Sequence, residues 1–192
     1  MDIRSAIRPI IVALVSIGLI VLVVGLFIKG FSGGAAVDVN RVDVSKYSSK
    51  PAVATLFIDG PTNLNQDHNQ LRITVSGTLN EIDIMQGYQG NIIRSETYAN
   101  NTTAFDTFLQ SLQLLNFSKG RKAPTNYQGY CPTGNRYTYS FNDGQTDLFK
   151  FWSTTCGNGT FEGKAPAVRS LFRQQIPQRD FNAFVTSTDI NY

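Results

Sequence analysis

The rhythm of apolar and polar positions divides the chain into segments with different destinations. From Pro9 to Ile28 the sequence PIIVALVSIGLIVLVVGLFI runs twenty residues without a charge. A helix rising 1.5 Å per residue needs about that length to cross roughly 30 Å of hydrocarbon. Residues 1–8 therefore read as a cytoplasmic leader and 9–28 as one transmembrane helix. A cleaved signal peptide is the competing reading, with small residues at Gly34, Ala35 and Ala36, but the run exceeds the roughly 7–15 residues of a secretory apolar core. Residues 29–51 mix glycine, serine and charge without helical period and read as a tether, with a strand around Val37–Val44.

From residue 52 the period becomes two. The run AVATLFI stops at Asp59-Gly60-Pro61, and after a polar loop the segments LRITVSG, EIDIMQG and NIIRSETY alternate between glycine-containing turns. These predict an antiparallel meander. Between Asn100 and Phe117 the period lengthens: Phe105, Phe108, Leu109, Leu112 and Leu115 share one helical face, behind a capping-box-like start at Thr103 and Asp106. A second helix starts at Pro166, carries Val168, Leu171, Phe172 and Ile176, and stops at Pro177; a short third one carries Phe181, Phe184 and Val185. The expected fold is α+β, an antiparallel meander and a disulfide-linked hairpin packed against two or three helices, in one extracytoplasmic domain at 52–192 behind the membrane helix.

The hairpin is RYTYSFN and QTDLFKFWS around Asp143-Gly144. A two-residue type I′ turn there pairs residues whose numbers sum to 287, so that Cys131 faces Cys156. At a non-hydrogen-bonded position their Cα atoms lie roughly 4.5 Å apart, within disulfide reach. The same register sets Tyr137, Tyr139 and Phe141 beside Leu148, Lys150 and Trp152, with Phe149 and Phe151 on the opposite face. Both faces are then partly apolar, and covering elements or an exposed aromatic contact surface must account for the second.

Composition and charge narrow the function classes. With 42% hydrophobic and 16% charged residues and a net charge of +3, neither a disordered chain nor a nucleic-acid binder fits. The modest total hides a split: residues 38–106 carry five basic and eight acidic side chains, residues 119–179 nine basic and three acidic. Arg121, Lys122, Arg169 and Arg173, with Tyr137, Phe149, Phe151 and Trp152, form the candidate contact surface, suited to an envelope protein or an anionic polymer.

Catalytic and metal constellations are missing. His68, the only histidine, lies in a polar loop and reads as solvated or loop-bracing; Asn63, Asn65, Asp67 and Asn69 alternate like calcium ligands but lack the loop glycine and distal glutamate. Glu81 and Asp83 share a strand face, which suits a wet sheet surface better than acid–base work. No cofactor is expected.

The runs IDGPTN, QLRITVSGT, GYQGNIIRSETYANNTTAFDTFLQSLQLLNF, YCPTGNRYTYSF, WSTTCGNGTFEG and LFRQQIP resemble an uncharacterised bacterial family. Its members are short single-pass membrane-anchored proteins with one exported two-cysteine domain. The resemblance implies a location and a disulfide, and brings no activity. The expected function is a membrane-tethered binding or scaffolding module of the cell envelope, non-enzymatic. The alternatives are an exported hydrolase using Asp59, Glu81 or Asp83, and a cleaved secreted effector.

Overall fold

The computed structural model describes residues 41–121, 127–186, 188 and 190. The segments expected to be a leader and a membrane helix, the first part of the expected tether and Lys122 lie outside them; no helix among the described residues is long and apolar enough to cross a membrane.

Six strands form one antiparallel sheet: β1 (Val53–Asp59), β2 (Asn69–Ser76), β3 (Leu79–Gln86), β4 (Asn91–Ala99), β5 (Arg136–Asn142) and β6 (Asp147–Thr154), in the order β4-β3-β2-β1-β5-β6. The meander is therefore real, and the hairpin β5–β6 adds to the free edge of β1. Alternation decides the two faces. Ala54, Leu56 and Ile58 of β1, Leu71, Ile73 and Val75 of β2, and Ile82 and Ile84 of β3 are buried on the inner face. Three helices meet that core: α1 (Thr102–Leu114), α2 (Ala165–Arg173) and α3 (Gln178–Thr186). They contribute Phe105, Phe108, Leu109, Leu112, Val168, Phe172, Phe181 and Phe184.

Local chemistry fixes the ends of α1. Asn101, not Thr103, is the N-cap, its side chain accepting from the Ala104 N–H at 2.9 Å. At the other end Asn116 takes the left-handed conformation (φ 59°). The Phe117 N–H reaches the Leu112 carbonyl and the Asn116 N–H that of Gln113, a Schellman closure that turns Phe117 into the core. There Phe117 meets Tyr139, Phe149, Phe161 and Phe172.

Packing also starts upstream of residue 52. Val44 opens a 3-10 turn, Val44–Tyr47, rather than lying in a strand, and it is fully buried. Gln113 of α1 accepts from its N–H.

The hairpin register differs from the sequence expectation. A type I′ turn needs positive φ at both central residues, and only Gly144 has it (φ 96°). The Asp143 carboxylate instead accepts from the N–H groups of Gln145 and Thr146, closing a four-residue loop between Asn142 and Asp147 with a bulge behind it. Tyr137, Tyr139 and Phe141 consequently face Ser153, Phe151 and Phe149. An odd shift exchanges the faces of β6, so Phe149 and Phe151 belong to the inner face, and Lys150 and Trp152 to the outer one. The Cys131–Cys156 disulfide exists, with Cα atoms 5.6 Å apart. It closes the hairpin beyond the ends of the ladder, not at a paired position within it.

Candidate functional site

On the outer face, a polar cluster gathers where β1 ends and β5 begins. Asp59 stands opposite Gln70 of β2 and Arg136 of β5. Its Oδ1 lies 2.7 Å from His68 Nε2 and accepts from Gln70 Nε2 at 3.1 Å; its Oδ2 lies 2.9 Å from Arg136 Nε. His68 Nδ1 donates to the Pro61 carbonyl at 3.0 Å. Arg136 Nη1 donates to Thr62 Oγ1 and Nη2 to the Gly60 carbonyl, while its Nε meets Asp59 as an ion pair without hydrogen-bond geometry. All four side chains are buried, His68 completely.

Aromatic rings seal this cluster. Tyr88 stacks on His68 with centroids 4.1 Å apart, and Trp152 packs against Tyr127 and Tyr130. Burial of Tyr127, helped by the negative charge of Asp59, pushes its phenol up to about 12. His68 therefore braces the loop it follows, and it is not solvated. The Asp59–His68 pair resembles part of a catalytic relay in distance only, because every polar atom of the imidazole and carboxylate already meets a protein group.

The other candidate carboxylates are also engaged. Asp83 is buried on β3, its Oδ2 meeting both Nε and Nη2 of Arg72 at 2.8 and 2.7 Å, while Oδ1 has no partner among the described residues. Glu81 accepts from Ser95 Oγ at 3.3 Å. Asn65, one of the alternating loop residues, accepts from the Tyr88 N–H and so holds the β3–β4 turn.

The candidate contact surface separates into two populations. Tyr137, Phe149 and Trp152 are buried and Phe151 is half-buried, so these rings are packing elements instead of an exposed aromatic patch. The cations lie nearer to solvent. Arg121 and Arg169 border one cleft of about 460 Å³, floored by Tyr137 and Ser153 and walled by the Thr154–Phe161 turn and the start of α2. Arg169 lies over the Tyr137 ring at 4.3 Å. Arg173 borders a different cleft of about 690 Å³ with Asn80, Tyr98, Gln174 and Gln175, and stacks on Phe181. A third cleft, about 430 Å³, lies on the outer face between Phe57, Tyr127, Thr138 and Lys150.

Sequence reasoning missed the buried cluster. The one local hint was Asp59 and His68 flanking a single turn; Arg136 enters only through the β1–β5 pairing. No protein-family model and no curated protein matches the chain.

Proposed function

We propose that this chain is a non-enzymatic binding module, held at a cell membrane by residues 9–28 with its folded domain on the extracytoplasmic side, where it engages an envelope protein or an anionic polymer. The observation that carries this reading is the division of labour among polar groups. The acid–base residues Asp59, His68 and Asp83 are buried in ion pairs and hydrogen bonds, whereas the clefts open to solvent are lined by hydroxyls, amides and arginines. Groups of that kind fix the orientation of a bound ligand. The uncharged run at 9–28 and the disulfide are consistent with an anchored, exported protein.

Measurements of placement and of activity on the native full chain test it. Membrane-impermeant lysine labelling of intact cells reaches the domain, and carbonate washing leaves the chain in the membrane fraction; protection from label, or release by carbonate, contradicts the placement. An impermeant crosslinker applied to the same cells yields a discrete adduct; turnover of an ester, glycoside or phosphate substrate that is lost in Asp59→Asn would overturn the non-enzymatic reading.

A further inference from the structure

The cleft between the end of β6 and the start of α2 has a composition that selects its ligand. We infer that it is a binding site for a phosphate monoester carried on a small polyol; this deepens the binding-module reading and rests on it. The lining residues include two guanidinium groups, Arg121 and Arg169, the hydroxyl-bearing Tyr137, Ser153 and Thr155, and no carboxylate; Thr154 borders the cleft with its side chain on the opposite face of the sheet. Glu162 stands near Arg121, 3.9 Å from its Nε, and both side chains are largely solvent-exposed. At that distance and exposure the pair is weak and leaves the cleft positive.

Both cations are held in place before any ligand arrives. Arg121 Nη2 donates to the Gly159 carbonyl at 2.8 Å, tying the side chain to the turn that forms one wall. Arg169 is held against the Tyr137 ring, 4.3 Å from its centroid. Fixed guanidinium forks lose less rotamer freedom on binding than free ones, and their geometry matches phosphate oxygens. The first turn of α2, at Ala165 and Pro166, borders the same cleft without a side-chain cap, so the helix dipole adds positive potential there.

Donor count and volume narrow the class. Two guanidinium groups, with the Ser153 and Thr155 hydroxyls beside them, offer more donors than a planar carboxylate can accept, whereas a dianionic phosphate monoester has three terminal oxygens to receive them. A cleft of about 460 Å³ exceeds what inorganic phosphate alone would fill and suits a small organic phosphate.

The experiment uses the full chain in non-ionic detergent, titrated with glycerol 3-phosphate while backbone amides are followed by NMR and heats by calorimetry. Saturable binding is expected, with shifts concentrated at residues 153–159 and affinity falling steeply with salt. Arg121→Ala weakens binding at least tenfold; its side chain is 66% exposed, so the fold tolerates the change. Arg169→Gln does the same, and Lys46→Ala, on the exposed 3-10 turn, leaves the affinity unchanged. Vesicles containing phosphatidic acid form the second arm. Tighter retention there than by the soluble ester identifies a lipid headgroup as the source, and equal or weaker retention identifies a soluble ligand.

Two results overturn the inference: no saturable heat with glycerol 3-phosphate at millimolar concentration, or binding that survives both arginine substitutions. If either occurs while the crosslinked adduct on intact cells persists, the module reading stands and only this ligand fails. If the adduct is absent as well, both fail.

Discussion

Removing the carboxylate of Asp59 is the sharpest test of how the outer face is held. In Asp59→Ala the guanidinium of Arg136, whose side chain is only 7% exposed, loses its counter-charge, and His68 Nε2 and Gln70 Nε2 lose their acceptor. Breaking one partner out of a buried ion pair costs about 3–5 kcal/mol, because the remaining charge stays out of water. At an m-value of about 2 kcal/mol/M this moves the urea midpoint down by roughly 2 M, and the thermal midpoint by roughly 6–20 °C for a domain of this size. Trp152 is the only tryptophan and packs on Tyr127 and Tyr130 beside the cluster, so its fluorescence reports the transition directly. Asp59→Asn keeps an acceptor for His68 and Gln70 but no charge, and falls between wild type and Asp59→Ala. The double variant Asp59→Leu/Arg136→Met removes both charges and recovers much of the loss, giving a coupling of about 2 kcal/mol or more. If Asp59→Ala costs less than about 1 kcal/mol, or the two single losses simply add, the cluster is not a coupled buried ion pair and the reasoning fails.

Other expectations follow from the same geometry. Reducing Cys131–Cys156, which closes the hairpin beyond its ladder, lowers stability by about 3 kcal/mol on the chain-entropy scale; unchanged melting with and without reductant refutes a stabilising role. Gly120→Ala drives a methyl into the Phe151 ring and costs about 1–3 kcal/mol by overpacking, read by chemical denaturation; a neutral result means the segment shifts freely. Tyr127 ionises near 12 in the folded chain and near 10 when unfolded. The folded state therefore holds more protons between those values, and its stability is intact below pH 10 and declines as the pH rises toward 12. The 295 nm absorbance difference between wild type and Tyr127→Phe shows no phenolate step at pH 10–11, and a step there contradicts the burial.

What the sequence revealed depended on the range of the interaction. The meander from β1 to β4 and the helix faces of Phe105–Leu112 and Val168–Phe172 rest on periodicity within one segment, and they were legible. The hairpin register failed because the Asp143 side chain, rather than the Asp-Gly pair as a type I′ turn, sets the loop. The cysteine pair emerged despite that error, since two strand extensions leaving one hairpin stay close even three register units away. Asp59, Gln70 and Arg136 come together only through the order β2-β1-β5, which no local pattern encodes. Arg121 and Arg169 were noted for their charge. Their shared cleft depends on where α2 returns to the sheet.

The position of β1 also has a kinetic consequence. It lies between β2 and β5, yet three strands and a helix separate β1 from β5 along the chain. During synthesis or export from the N-terminus, the meander can assemble while one side of β1 still shows unpaired N–H and C=O groups to any passing strand. That edge stays open until the β5–β6 hairpin arrives. The Asp59–Arg136 ion pair forms with that pairing, so one docking event closes the edge and completes the buried polar cluster. A chain interrupted before residue 136 would keep the open edge, a template for any strand, protease or holdase that meets it first.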